Sequence, residues 1–374
     1  MSKKLLHTPE GVRDIYGIEY QRKKMVEEHL RKIIENYGYE GIQTPSFEFF
    51  DVFGKEIGTT PSRELYKFFD KDGETLVLRP DFTPSIARCA AKYFMEESKP
   101  LRFCYSGNTF SSTSSLQGKL NEVTQMGAEL IGDDSVEADA EMISMVIEAL
   151  KSAGLEHFQL SIGQEEYFKG LCEEAGLDPD TELQLREYIA GKNYFAAQEL
   201  LTGSCIPEEY CTKLLKVADI FGSMSSLEEA EKLVHNTRSL QAIAQLKQLQ
   251  KVLALYDALP YVSFDLGMLS KYHYYTGMTF KVFTYGIGDA LVKGGRYDNL
   301  IGQFGKKAPA VGFVIVIDDL LEALSRQKVS ISLPPAREVI YYTEADFVQK
   351  LLLARKLRSE GIAAELVRKG NDAK

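Results

Sequence analysis

The apolar positions of residues 19–37 recur with the period of an α-helix, and Gly38 follows as a helix-stop signal. Residues 39–48 then alternate between polar and apolar side chains, which predicts a strand, but Pro45 interrupts the pattern. Because proline cannot donate a hydrogen bond to a neighbouring strand, we expect this strand at a sheet edge or at an interface.

Further along, strand patterns and helix patterns follow one another. Residues 135–154 give the clearest helix, with Ser135 at the N-cap position and Gly154 just beyond the C-terminus. The other elements predicted in this part are a hairpin over 68–80 that turns at Asp72 and Gly73, a helix over 83–97 and a strand over 158–163.

The pattern changes in the middle of the chain. Residues 166–254 carry helical periodicity almost throughout, and strand patterns return from residue 261. A helical block that interrupts a strand-rich region is most simply an insertion. We therefore predict a core domain over 1–165 and 255–325 and a helical insertion over 166–254.

A different pattern closes the sequence. From residue 338 the chain predicts strand, helix and strand, one β-α-β unit. Two strands are too few for a self-standing sheet, so we expect a truncated or partial α/β domain over 330–374. In the core domain, grouped helices and a hairpin favour an α+β fold with a mostly antiparallel sheet over a doubly wound parallel one.

Charge and composition narrow the function class. The chain has 374 residues, a formal net charge of −10, 44% apolar residues and no Trp. The negative charge disfavours a protein that coats nucleic-acid backbone. No apolar run reaches the roughly 18 residues of a membrane span, and the N-terminus has no apolar signal core. We expect a cytoplasmic protein without a membrane partner.

The five cysteines do not form a metal-binding pattern. No CxxC pair occurs, and no histidine lies at a zinc-type spacing from Cys205 and Cys211, the two that are closest in sequence. The expectation is therefore free thiols, as in a reducing compartment, with no metal and no cofactor.

Glycines and tyrosines mark two candidate segments. Residues 293–305 are rich in glycine and contain Arg296, but they lack the order of a phosphate-binding loop. Glycines that let a strand pass close to another group are the better interpretation. Residues 272–277 hold three tyrosines. These tyrosines fit either a core cluster or a pocket wall that hydrogen-bonds a small polar ligand.

Several of these segments, in this order, resemble histidyl-tRNA synthetase, a class II aminoacyl-tRNA synthetase. Their joint order is specific to that family and spans most of residues 1–325. The matching stretches are YGYEGIQTPSFE, LVLRPDFTPSIAR, FCYSGNTF with LQGKLNEVTQMGAELIG, YYTGMTF, GGRYDNL and PAVGFVIVIDDL. The resemblance implies an antiparallel sheet flanked by helices, a helical insertion and a C-terminal anticodon-binding-like domain. It also places Pro45 on the motif that builds the family's dimer interface.

The resemblance also singles out four positions where this chain departs from the synthetases. An Arg and a Glu of the second family motif are replaced by Ser111 and Thr113. An Arg that precedes the tyrosine motif is replaced by Ser270, and the Arg that ends the third motif by Asp319. In the synthetases these arginines bind the ATP phosphates, which guanidinium groups grip bidentately. One like-charge contact at about 4 Å costs about 4 kcal/mol at an effective dielectric of about 20. The sequence therefore predicts that the ATP half of the site is lost, and with it any catalytic residue.

The amino-acid half of the site is retained in this comparison. The residues that the resemblance matches to histidine-binding positions are Asp81, Thr83, Gln125, Glu129, Tyr274 and Tyr275. The lost Arg at Ser270 would also have faced the ligand carboxylate. Lys271 and Arg296 are the candidates for replacing it.

A retained amino-acid pocket without an ATP site resembles the regulatory-subunit family of ATP phosphoribosyltransferase, a synthetase paralogue of the histidine pathway. That resemblance implies a non-catalytic subunit that assembles with the short-form catalytic subunit, which makes phosphoribosyl-ATP from ATP and phosphoribosyl pyrophosphate. The implied partners are this subunit, free histidine and a second copy of the chain as a homodimer, with no tRNA.

Two alternatives stay open on the sequence. The first is a histidyl-tRNA synthetase with atypical motifs. The second is a synthetase-like module that binds a ligand other than histidine, which the retained pocket positions disfavour.

Overall fold

The computed structural model describes residues 6–54, 60–112, 120–204, 206–270 and 275–369. Runs of consecutive helices and runs of consecutive strands follow one another along this chain. The α-helices are α1 (Gly17–Asn36), α2 (Thr83–Tyr93), α3 (Val136–Ser152), α4 (Glu165–Ala175), α5 (Pro179–Ala190), α6 (Tyr194–Gly203), α7 (Glu208–Lys216), α8 (Met224–Leu233), α9 (Thr237–Leu255), α10 (Ile317–Arg326) and α11 (Phe347–Ser359).

The strands form three sheets. They are β1 (Glu40–Gly41), β2 (Phe47–Phe49), β3 (Lys67–Phe69), β4 (Thr75–Leu78), β5 (Leu101–Phe110), β6 (Glu122–Ile131), β7 (Phe158–Gln164), β8 (Phe221–Gly222), β9 (Val262–Asp265), β10 (Met278–Thr284), β11 (Val292–Arg296), β12 (Ala310–Val316), β13 (Glu338–Tyr342) and β14 (Ala364–Arg368).

The central sheet is mixed. Its strand order is β1-β5-β6-β12-β11-β10-β7-β9-β8. The pairings from β5 to β7 are antiparallel, as expected, but β1 pairs with β5 and β7 pairs with β9 in parallel. The prediction of an antiparallel sheet flanked by helices therefore describes the middle of the sheet and misses its two flanks.

Local signals in the sequence correspond to observed turns and caps. The Oγ of Ser135 accepts a hydrogen bond from the N–H of Ala138 at 3.2 Å and caps α3. Strands β3 and β4 form the hairpin at Gly73, whose φ of +88° suits glycine. Strands β1 and β2 both lie at sheet edges, as Pro45 predicted. Helix α2 is shorter than expected and ends at Tyr93.

The helices on one face of the central sheet bury the main core. Leu30 and Ile34 of α1 and Ile143 and Val146 of α3 are fully buried there, in one apolar cluster with alternate residues of β6 such as Leu130. Because side chains alternate along a strand, Gln125, Gly127 and Glu129 of β6 lie on the other face. That face carries the candidate site.

The described residues divide into two compact units, with the division after Ile331. The larger unit contains the central sheet and the helices of residues 165–255, which we call the helical insertion. This insertion contributes β8, which pairs antiparallel with β9 at the end of the central sheet. In the smaller unit, β13 and β14 pair in parallel, and α11 lies between them in sequence.

Candidate functional site

The centre of the site is the carboxyl group of Glu129, which is 1% exposed. One of its oxygens accepts a hydrogen bond from the Thr83 hydroxyl at 2.8 Å, and the other accepts from the Tyr297 hydroxyl. Gly312 of β12 faces Glu129 across the strand pair, and a Cβ on Gly312 would come within 1.6 Å of the carboxyl Oε2. Only glycine leaves the room that this carboxyl group occupies.

Burial dominates the acid–base behaviour of Glu129. It raises the pKa of this carboxyl group to about 8, against the hydrogen bonds from Tyr297 and Thr83, and the nearby charge of Asp81 raises it further. Glu129 therefore carries a proton over most of the neutral range. A buried, neutral carboxyl group can donate one hydrogen bond as well as accept.

Two more tyrosines belong to the same environment. Burial and the charge of Glu129 raise the pKa of both Tyr105 and Tyr297 well above the usual tyrosine value. The ring of Tyr105 stacks on Phe82 with centroids 4.4 Å apart. These tyrosines were not predicted as site residues. The sequence held a signal for both, because Tyr297 lies in the quoted stretch GGRYDNL and Tyr105 in the quoted stretch FCYSGNTF.

Asp81 and Tyr275 complete the group around Glu129. Asp81 accepts a hydrogen bond from the backbone N–H of Thr83 at 3.2 Å, at the start of α2. Tyr275 lies close over Gly295, since a Cβ there would come within 2.8 Å of the tyrosine ring. Both residues raise the pKa of Tyr105, which places them in its electrostatic environment.

Gln125 lies four residues from Glu129 on the same face of β6. Its Oε1 is buried and has no hydrogen-bond partner among the described residues. A buried acceptor without a partner costs about 1–3 kcal/mol, and a ligand donor would remove that cost. The structure thus brings together Asp81, Thr83, Glu129 and Tyr275. Gln125 lies on the same strand face, about 13 Å along β6 from Glu129. Tyr274 lies outside the described residues.

Arg296 makes internal contacts. Its guanidinium pairs with Asp139 at 2.6 Å and with Asp298 at 3.3 Å. It also donates to the carbonyl oxygens of Asp133 and Ser135 at the start of α3. The side chain is 8% exposed. These contacts fix β11 to α3 and argue against Arg296 as a contact for a ligand carboxylate. The other candidate, Lys271, lies outside the described residues.

The positions matched to the ATP arginines offer no described cation for a phosphate. Ser111 donates its backbone N–H to the carbonyl of Asn121 at 2.9 Å. Asp319 lies in the first turn of α10, where burial and then the charges of Asp289, Asp318 and Glu322 raise its pKa to about 6. Thr113 lies outside the described residues. An acidic group repels a triphosphate, so Asp319 is consistent with the predicted loss of ATP binding, which stays a prediction.

Neither a cluster of metal-binding side chains nor a membrane-spanning helix occurs within residues 6–54, 60–112, 120–204, 206–270 and 275–369. In these ranges no group of three or more His, Cys, Asp or Glu side chains is arranged to hold a metal ion. No helix within them is long and apolar enough to cross a membrane.

Comparison with known proteins gives the family. Residues 11–320 match the family model of histidyl-tRNA synthetase. An ATP phosphoribosyltransferase regulatory subunit of Acetivibrio thermocellus is 40% identical over 372 residues, 100% of this chain and 89% of that protein. The protein with the same description from Ruminiclostridium cellulolyticum is 39% identical, over 98% of this chain and 87% of that one.

Two solved structures are similar to this chain over nearly its whole length. A crystal structure described as an ATP phosphoribosyltransferase regulatory subunit/histidyl-tRNA synthetase from Bacillus halodurans C superposes with a TM-score of 0.89 and 32% identity, covering 99% of this chain and 94% of that chain. Histidyl-tRNA synthetase from Nostoc sp. PCC 7120 has a TM-score of 0.82 at 19% identity, covering 98% and 87%, and shares the fold. The predicted resemblance and fold class are confirmed, and the chain belongs to the family of ATP phosphoribosyltransferase regulatory subunits.

Proposed function

We propose that this chain is the non-catalytic, histidine-sensing regulatory subunit of an ATP phosphoribosyltransferase and is required for the activity of the short-form catalytic subunit. The observation that carries the proposal is the buried group of hydroxyl and carboxyl side chains around Glu129. The buried group around Glu129 suits an amino acid with a polar ring, whereas the acidic Asp319 opposes ATP. A scaffold that can bind an amino acid but cannot activate it serves as a sensor.

Histidine is the ligand that the polar groups fit. In the proposed pose, the ammonium group meets the carboxylate of Asp81 and the buried Oε1 of Gln125, which has no partner among the described residues. The imidazole meets Glu129 and the hydroxyl of Tyr275. Because Glu129 holds a proton near neutral pH, it can donate to an unprotonated imidazole nitrogen or pass its proton to the ring.

The carboxylate of the ligand needs its own partner. With Arg296 committed to Asp139, we assign this role to Lys271. The residue follows Ser270 directly and leads into the tyrosine segment. Exchanging Lys271 for Met should weaken histidine binding more than it weakens binding of histamine, which lacks the carboxylate; equal losses would contradict the assignment.

Feedback inhibition follows if histidine binds two assembly states with different affinity, because equal affinity shifts no equilibrium.

We further propose a homodimer as the building block. In its support, the segment after Pro45 exposes Phe47 and Phe49, which are 52% and 54% exposed in the single chain. Sedimentation equilibrium at the mass of one chain would contradict the dimer.

We also propose a cytoplasmic location. It suits the free thiols at Cys89, Cys104, Cys172 and Cys211, and fractionation of cells tests it.

Calorimetry with free histidine tests the pocket. Removing one partner from a buried charged hydrogen bond costs roughly 1.5–3 kcal/mol, about ten- to a hundred-fold in affinity. We expect losses of that size for Glu129→Ala and Tyr275→Phe, with the fold retained in circular dichroism. Exposed Tyr285 gives the matched control, and Tyr285→Phe should bind as wild type. Wild-type protein that binds no histidine at millimolar ligand, even with its partner, contradicts the pocket.

A histidyl-tRNA synthetase with atypical motifs is the second candidate, favoured by the match to the synthetase family model over residues 11–320. Histidine-dependent exchange of pyrophosphate into ATP separates the two. We expect none from the pure chain. Exchange above the background of Glu129→Ala would establish adenylation and overturn the non-catalytic assignment.

A further inference from the structure

The helical insertion approaches the histidine pocket through one segment of the core. This segment, which we call the tyrosine loop, comprises residues 266–277 and connects β9 to β10; its residues 271–274 lie outside the described ranges. Tyr275, the proposed imidazole contact, is one of the described residues of this loop. What holds the tyrosine loop therefore also sets the position of a ligand-binding side chain.

Glu165 contacts the tyrosine loop at two positions, Ser270 and Gly277. This first residue of α4 is 2% exposed. Its Oε1 accepts a hydrogen bond from the backbone N–H of Ser270 at 2.8 Å, and its own backbone N–H donates to the carbonyl of Gly277 at 3.1 Å. A single residue thus fixes the segment on either side of the tyrosines.

The remaining oxygen of Glu165 is held by a second helix of the insertion. It accepts from the guanidinium of Arg186 on α5, which is 2% exposed and also pairs with Glu182 at 3.1 Å. Burying an ion pair costs desolvation energy, and well-packed apolar residues often stabilise a fold as well. The distinctive property of this pair is geometric, because it ties an insertion helix to the tyrosine loop.

Backbone contacts reinforce the same connection. The N–H of Leu266 donates to the carbonyl of Ile220 in the insertion at 3.0 Å. A Cβ on Gly267 would come within 2.8 Å of the Cα of Ala218. On the core side, a Cβ on Gly163 would come within 2.9 Å of the carbonyl oxygen of Met268. Residues 266–268, at the start of the tyrosine loop, are therefore packed between the insertion and the central sheet.

We propose that Glu165 is a positioning residue for histidine binding, held by Arg186, and that the helical insertion sets the affinity of the pocket through this pair. The inference rests on the proposed histidine pocket. It makes the insertion a second input to the ligand site: a partner that shifts α5 would move the tyrosine loop without touching histidine. Residues along such a connection typically change coupled affinities about 2- to 30-fold.

Two neighbouring glutamates provide a matched experiment. Glu165→Gln keeps an acceptor for the Ser270 N–H but removes the charge that holds Arg186. Glu166→Gln removes the charge of the next residue, which pairs with Arg238 on α9 at 2.6 Å within the insertion. Each variant, and Arg186→Lys as a second test of the pair, is compared with wild type in full-length protein.

Two readouts are taken. In calorimetry, Glu165→Gln and Arg186→Lys should weaken histidine binding about 2- to 30-fold, while Glu166→Gln leaves it unchanged. In hydrogen–deuterium exchange without ligand, peptides covering 266–277 should exchange faster in Glu165→Gln and not in Glu166→Gln. Peptides covering α9 should be unchanged in Glu165→Gln, which distinguishes a loosened loop from a loosened protein.

The outcomes separate this inference from the function it rests on. Wild-type affinity together with wild-type exchange of the tyrosine loop in Glu165→Gln overturns the positioning role. Equal effects of Glu165→Gln and Glu166→Gln overturn it as well, because they indicate a general loss of stability. If wild-type protein binds no histidine, the proposed function fails, and the exchange experiment on the ligand-free chain still decides whether Glu165 holds the loop.

Discussion

A buried carboxyl group with two hydroxyl partners lies at the chemical centre of the pocket. Glu129 has Thr83 and Tyr297 as neighbours, and it lies on a strand face that glycines keep open. The resemblance predicted Glu129 and Thr83 as parts of one site, and the structure brings them into contact. It did not predict Tyr297, whose approach depends on the pairing of β6, β12 and β11. Such non-local pairing leaves no trace in the local sequence.

The pKa of Glu129 predicts a pH dependence of stability. Its pKa rises from 4.5 to about 8 on folding, so between about pH 5 and 8 the folded chain holds a proton that the unfolded chain has lost. Stability from this group is full below that window, and falls by roughly 1.4 kcal/mol per pH unit as pH rises through it. Glu129→Gln, which mimics the protonated form, should remove this slope.

Urea unfolding at several pH values from 5 to 8 measures that difference. Other groups, such as Asp319, contribute to both proteins and cancel in the comparison. The difference between wild type and Glu129→Gln should grow in favour of the variant as pH rises. Parallel curves for the two proteins would show that Glu129 ionises at its ordinary pKa.

At the scale of elements, the pairing of β6 with β12 puts a glycine opposite Glu129, and the missing side chain leaves space for the carboxyl group. Gly312 lies opposite Glu129 in the register. An added methyl group has no space there, and overpacking a buried position costs about 1–3 kcal/mol. We expect Gly312→Ala to lower the free energy of unfolding by that amount and to abolish histidine binding.

Gly302 provides the control for this exchange. A Cβ on Gly302 would meet nothing within 4 Å, so Gly302→Ala should leave stability and binding near wild type. Denaturant unfolding and calorimetry on both variants check the prediction. If Gly312→Ala is as stable and binds as well as Gly302→Ala, the close approach of the strands does not shape the site.

Elements that depend on local chemistry were predicted well, and elements that depend on distant partners were not. The cap of α3 by Ser135 and the hairpin at Gly73 follow from neighbouring residues, and both are present. The parallel pairing of β1 with β5 and the addition of β8 to the central sheet could not be read from periodicity. Their two-residue strands carry too few positions to show alternation.

At the scale of the whole molecule, the insertion remains part of the larger unit, and Glu165, which pairs with Arg186, contacts the tyrosine loop at Ser270. The domain boundaries predicted from the sequence, 166–254 for the insertion and 330–374 for the last domain, stay predictions. The structure divides into its two compact units after Ile331. Family membership is established over nearly the whole chain. A regulatory role then depends on how the pocket and the assembly influence each other.

Formation of phosphoribosyl-ATP by the short-form transferase, measured with and without this chain, tests that role most directly. We expect activity to rise on mixing, with comigration of the two proteins on sizing. Histidine should inhibit the mixture roughly 5- to 150-fold, the range of a typical coupling free energy, and Glu129→Ala should relieve that inhibition. A transferase that is as active and as sensitive to histidine without this chain as with it would contradict the account.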